Sequence, residues 1–333
     1  MTKHKYIFAV ALGLVVLLAL LAFFVFESCD EETPVTEVTY FTVTFDSQGG
    51  STVRQIKVQE GALANRPADP VRDGYVFDGW KLGNEKWDFA ADKVTADITL
   101  SASWISASSF YTVLKIDDTD TCMITDIKRL SEKIQVPSVI NGYEVVAIGD
   151  DVFRGLNSED VKEIILPGTV TSIGNYAFYE CRGIKITAHG ALTSVGEFAF
   201  AECDKLSSVT LGEGLREISF GAFSGCTALR EVRIPASVST ICENAFEECT
   251  SLTSVMLYAS TDSIEDCAFR FCDELVAIYF YGTAEEFDAI EVVKNGNSTF
   301  ADAKLYLYSA DEPQGSSDAR YWYLDEKGKV RLW

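Results

Sequence analysis

Nine cysteines, two histidines and a dense population of carboxylates are the side chains with the chemistry to react or to hold a metal. Five of the cysteines, Cys181, Cys203, Cys226, Cys249 and Cys272, each follow a phenylalanine by three residues. In an exported chain, so many thiols ordinarily mean disulfides. Here their spacing follows an internal period, and Leu156 fills the same position in the first unit. Stacked units would bring successive cysteines within bonding distance in Cα terms, but the period alone accounts for that. The position asks for a small buried apolar group, which a free thiol resembles. A buried thiol is therefore favoured over a disulfide, and a disulfide over a metal site. Cys242 and Cys267 lie outside this ladder, two positions apart in register.

His4 falls in the N-terminal targeting segment, so a histidine-dependent triad or a zinc or copper site would rest on His189 alone. Asp117, Asp118 and Asp120 lack the glycine and terminal glutamate of a calcium loop and read as polar hairpin residues. Carboxylate pairs are too common in this chain to mark a glycosidase, and no glycine-rich phosphate loop is present. No catalytic, cofactor or metal residue is nominated, and the chain is not expected to be an enzyme.

Against 28 basic residues stand 50 acidic ones, giving a net charge of -22. Such a charge repels nucleic acid and anionic membrane surfaces, so nucleic acid is not expected as a partner. Otherwise the acidity reads as a solvated exterior. With 333 residues, 47% of them hydrophobic, the chain can build two or three cores.

Lys3 and Lys5 precede an apolar run over residues 6–26, which ends at Glu27-Ser28-Cys29. This is a targeting segment, longer than an ordinary signal core and just long enough to span a bilayer. Two tethers fit. Ser28-Cys29 resembles a lipoprotein box with Cys29 as the lipidation candidate, although Phe26 and Glu27 depart from it. The alternative is an uncleaved anchor with its basic end inside. Both place the chain beyond Asp30 outside the cytoplasmic membrane, tethered to the envelope. The acidic, proline-containing stretch 30–38 reads as a linker.

Residues 39–105 form the first folded unit. Its opening alternates β-branched and aromatic residues and turns at Asp46-Ser47-Gln48-Gly49-Gly50, predicting a β-hairpin. The segments VTFDSQGG, PADP, GYVFDGW and ITLSASW resemble, in that order, the Listeria-Bacteroides repeat, the internalin B-repeat module. That resemblance implies a β-grasp-like fold and a spacer or weak interaction role. Trp80 and Trp104 are expected to pack in its core.

Phe153, Phe178, Phe200, Phe223, Phe246 and Phe269 define six units with a period near 23. Leu206, Leu229, Leu252 and Leu275 stand three residues after the ladder cysteines, and alternating apolar pairs follow them. One such unit cannot close a core, so units must stack and bury their apolar sets on each other. The LREVRI segment and its equivalents predict short parallel strands, and AlaPhe predicts a helical or 3₁₀ turn on the opposite wall. Six rungs at about 4.8 Å give a stack of roughly 29 Å. The run SIGNYAFYEC, SVGEFAFAEC, EISFGAFSGC, TICENAFEEC resembles the BspA-type leucine-rich repeats of bacterial surface proteins.

The expected fold is thus mainly β with short helical turns, a β-grasp-like domain followed by a leucine-rich-repeat solenoid. The solenoid occupies 145–283, with a capping hairpin over 106–144 and a C-terminal cap over 284–333. The cap is read as a helix over 284–292, a strand over 304–308, an exposed loop over 313–317 and a final hairpin over 321–333. The resemblance implies a surface binding or adhesion protein with a protein or glycan ligand. A structural envelope protein is the alternative, and a surface hydrolase stands behind both. Phe, Cys and Leu of the unit are architecture, so specificity is expected among the solvent-facing strand residues: Arg230, Glu231, Arg233, Thr253, Ser254 and Met256.

Overall fold

The computed structural model describes residues 38–313 and 320–333. The expected targeting segment, Cys29 and most of the 30–38 linker lie outside them, as does the 314–317 part of the expected loop. Among the described residues, no helix is long and apolar enough to cross a membrane.

The first unit is a mixed five-stranded sheet. Tyr40–Asp46 pairs antiparallel with Ile56–Gln59, as the alternation predicts, and parallel with the closing strand Ile98–Ser106. Tyr75–Leu82 flanks that closing strand antiparallel. Bringing the first and last long strands side by side is the β-grasp-like feature. Trp80 is buried, with its ring edge-on to Phe45 and Phe77 at 4.9 and 5.4 Å. Trp104 is half-buried; its Nε1 donates to the Ser47 carbonyl at 2.9 Å. A Cβ on Gly50 would stand 2.5 Å from that indole, which requires glycine in the turn beneath it.

Each solenoid unit contributes to three walls. In the first, Glu231–Arg233, Ser254–Tyr258 and Ala277–Tyr281 pair in parallel in a register of 23 residues, such as Val232 with Val255 and Val255 with Ile278. In the second, two-residue strands pair likewise, as in Ile218 with Ile241 and Ile241 with Ile264. Inward residues of both walls are buried because each rung covers the next.

The third wall carries AlaPhe, and here the structure corrects the sequence expectation. AlaPhe forms no helix; it lies in successive tight turns bonded from rung to rung. The amides of Phe153, Phe178, Phe200, Phe223 and Phe246 donate to the alanine carbonyl of the following unit at 2.8–2.9 Å. Residues two before and two after each phenylalanine adopt left-handed φ, for example Asn244 at 58° and Glu248 at 58° around Phe246. These reversals interrupt the helical path and turn alternate amides toward the neighbouring unit. Among the described residues, the helical turns that do occur are Ala107–Ser109, Ala284–Asp288 and Ser298–Asp302.

Strand pairing also crosses the limits 145 and 283 read from the repeats. Lys133–Gln135 already pairs with Glu163–Leu166, and Thr121–Ile127 of the capping hairpin pairs in parallel with Tyr143–Ile148. At the other end Glu291–Val292, expected to be helical, joins the second wall, while Lys304–Tyr308 and Arg320–Leu324 extend the first. Phe300 adds a seventh ring to the phenylalanine column, 4.9 Å from Phe269 and 1% exposed.

The first unit is bonded to the cap. Gly74 N–H donates to the Val139 carbonyl at 3.0 Å, Ser138 Oγ donates to Asp73 at 3.0 Å, and Lys133 pairs with Asp69 at 3.5 Å.

Candidate binding surface

The ladder cysteines occupy the turn wall beneath the phenylalanine column. All five are fully buried. Each thiol donates to a phenylalanine carbonyl of the preceding unit: Cys181 to Phe153, Cys203 to Phe178, Cys226 to Phe200, Cys249 to Phe223 and Cys272 to Phe246, at 3.0–3.2 Å. Burial pushes Cys181 and Cys272 up to about 12 and holds Cys203, Cys226 and Cys249 well above the ordinary thiol range. A thiol is thus more than apolar filling, since it supplies a second donor to a carbonyl that already accepts within its own turn. Leu206, Leu229, Leu252 and Leu275 pack in the same core, and the six repeat phenylalanines stack at 5.0–5.5 Å.

His189 is exposed, and Asp117, Asp118 and Asp120 sit exposed in a hairpin turn in which Asp118 is left-handed. Among the described residues, no group of three His, Cys, Asp or Glu side chains is placed to hold a metal.

On the outer face of the first wall, alternation places Glu231 and Arg233 toward solvent and Val232 inward. Arg230 and Thr253 are exposed as well, although the Thr253 hydroxyl donates to the Arg230 carbonyl at 2.9 Å. Met256 is a correction to the sequence reading. It points to the outer face, in register with Arg233 and Tyr279, yet is only 5% exposed. Met256 and Tyr279 floor a groove of about 530 Å³ that also involves Ser208, Glu231, Arg233 and Ser254, and that Gly328, Lys329 and Val330 of the C-terminal hairpin close from above. Of the six candidate residues the groove gathers Glu231, Arg233, Ser254 and Met256; Arg230 and Thr253 stay outside it.

An aromatic cluster braces the hairpin over this face. Tyr258 stacks on Tyr281 at 4.5 Å, and Tyr281 packs on Tyr308 at the same distance. Trp322, fully buried, stands edge-on to Tyr279, Tyr281 and Tyr308, and its Nε1 donates to the Phe280 carbonyl at 3.4 Å. Burial, aided by the neighbouring Tyr258 and Tyr308, pushes Tyr281 up to about 12, so its hydroxyl remains neutral. Sequence reasoning missed this cluster, although Tyr258 and Tyr281 share a ladder position one period apart.

Neither Arg233 nor Lys329 forms an ion pair among the described residues. The groove lining thus carries two cations outside any ion pair, together with the Glu231 carboxylate.

Stacked parallel ladders with a buried phenylalanine column define a leucine-rich-repeat solenoid protein with a small mixed-sheet domain before it. More particularly, residues 131–247 match the BspA type leucine rich repeat region in six copies. Residues 41–103 match the Listeria-Bacteroides repeat domain. The chain carries both modules.

Curated relatives share parts of it. Internalin H of Listeria monocytogenes is 36% identical over 114 residues, 33% of this chain and 20% of that protein. A putative Gly-rich membrane protein of Evansella cellulosilytica is 38% identical over 71 residues, 20% of this chain and 8% of that one. The chain thus spans a fifth or less of these relatives. Among solved structures, the T. pallidum leucine rich repeat protein is 26% identical, covering 53% of this chain and 85% of its own, with a TM-score of 0.46. A leucine rich cell surface protein of Faecalibacterium prausnitzii A2-165 is also 26% identical, covering 68% and 60%, with a TM-score of 0.49.

Proposed function

We propose that this chain is an extracytoplasmic, envelope-tethered binding protein without catalytic activity, and that it engages its ligand on the outer face of the first wall. The observation that carries this reading is the groove between that face and the C-terminal hairpin, with Arg233 and Lys329 unpaired beside it. The repeat-defining Phe, Cys and Leu residues are consumed by the core, so recognition falls to the outward positions between them. Relatives named as membrane proteins and an internalin support a surface location. The apolar segment 6–26 supports a tether, either as an anchor or with lipid on Cys29.

The test is binding of the full chain to a panel of extracellular matrix proteins and glycans, with Arg233→Glu as the comparison. Saturable binding that weakens in the variant is expected. Silence across the panel would favour a structural envelope role. For the tether, radioactive palmitate should label the wild type and not Cys29→Ala if lipid is attached there.

A further inference from the structure

The C-terminal hairpin leaves one strand edge without a partner strand among the described residues, and Val330 of that strand lines the groove. In the antiparallel pairing of Arg320–Leu324 with Val330–Leu332, Trp322 faces Leu332, Tyr323 faces Arg331 and Leu324 faces Val330. Asp325 N–H donates to the Lys329 carbonyl at 2.9 Å, and Trp333 N–H donates to the Tyr321 carbonyl at 3.1 Å. Hydrogen-bonded and non-hydrogen-bonded pairs alternate along such a ladder. Lys329, Arg331 and Trp333 therefore direct their backbone groups to the partner strand, and Val330 and Leu332 direct theirs away from it. The strand Val330–Leu332 ends its sheet, so among the described residues no strand meets that outer edge.

Val330 lines the groove, above Met256 and Tyr279 and beside Arg233 and Lys329. A volume of about 530 Å³ lies within the range of built ligand sites. We propose that the groove binds an extended acidic peptide of a partner protein by adding it as a strand to the edge of Val330–Leu332. This rests on the reading of the outer face as the binding surface. Backbone groups of Val330 and Leu332 hold the peptide main chain, which supplies affinity without sequence preference. Because side chains alternate along a strand, only those turned toward the wall meet the row of Arg233, Met256 and Tyr279, and their carboxylates approach Arg233 and Lys329. Glu231, on the same face as Arg233, repels a carboxylate placed beside it and so restricts the register.

The probe is an acetylated, amidated hexapeptide alternating aspartate and valine, titrated calorimetrically into the full chain. Saturable binding is expected, with amide hydrogen exchange at Val330 and Leu332 slowed at least tenfold. Affinity should fall at least tenfold for Arg233→Glu, for Val330→Pro, and for peptides with alternate amides methylated or with lysine replacing aspartate. Val330→Pro removes an edge donor and leaves the hairpin ladder intact, which the circular dichroism of the variant checks. No saturable binding, equal affinity for the methylated peptide, or self-association of the free chain through this edge would overturn the proposal. Should a panel glycan or protein bind and lose affinity in Arg233→Glu while the hexapeptide neither binds nor competes, the face binds a ligand but strand addition is wrong.

Discussion

The amide of Phe269 donates to the side-chain Oδ1 of Asn297 at 2.9 Å, where every earlier repeat phenylalanine donates to a backbone alanine carbonyl of the next unit. Asn297 thus completes the turn ladder from a side chain. Its Nδ2 donates in turn to the carbonyls of Glu265 and Val293, both at 2.7 Å. That places the seventh ring, Phe300, in line with the column.

Asn297→Ala should lower stability by about 2–4 kcal/mol, because it leaves the Phe269 amide and the Val293 carbonyl without this partner and the Glu265 carbonyl with only the Ala268 amide at 3.4 Å. Urea unfolding followed by tryptophan fluorescence measures this. A loss below about 0.5 kcal/mol would mean that backbone groups close the gap on their own.

Phe300→Ala should behave like Phe223→Ala, each costing about 3–5 kcal/mol through the cavity left in the column. Phe271, 51% exposed, is the control, and Phe271→Ala should be close to neutral. Equal effects at Phe271 and Phe300 would contradict the seven-ring column.

Alkali should destabilise the fold through the ladder thiols. Their folded values lie far above the ordinary thiol value of about 8.5, so the neutral thiol is favoured in the native state. Above that ordinary value the unfolded chain releases protons that the folded chain keeps. The thiol contribution is therefore intact below about pH 8.5 and is lost as pH rises toward the folded values. Denaturation midpoints should fall between about pH 9 and 11, with Cys226→Ser less sensitive by about 1.4 kcal/mol per pH unit. An identical pH slope for that variant would count against the buried-thiol account.

Left-handed positions should reverse the usual cost of glycine. Glu248 has φ of 58°, so Glu248→Gly should be neutral or stabilising by up to about 1 kcal/mol. Gly225, at the equivalent position with φ of 71°, should not tolerate valine: a Cβ there would lie 3.0 Å from the Glu202 carboxyl group. Thermal unfolding of the two variants should move in opposite directions.

Legibility in the sequence followed what each residue is for. Phe200 or Cys226 could be recognised because a stacked core imposes the same type at the same interval. Phe300 could not, because the Ala284–Asp288 helix lengthens its unit and no cysteine follows it. Arg233 and Met256 share one face because the 23-residue period sets them in register. That period carried no information about the hairpin near Gly328 that folds over them, which lies far along the chain. Burial of Met256 is a tertiary effect of that kind. The AlaPhe turn was misread as helical because the left-handed residues beside it are mostly not glycine, as at Tyr176, Phe198 and Asn244.

Hydrogen exchange of the full chain with a bound panel ligand tests the central claim most directly. The outer-face account predicts protection at Glu231–Arg233, Ser254–Tyr258 and Val330–Leu332. Protection confined to the first unit around Arg72 and Trp104, or to the turn wall, would contradict it.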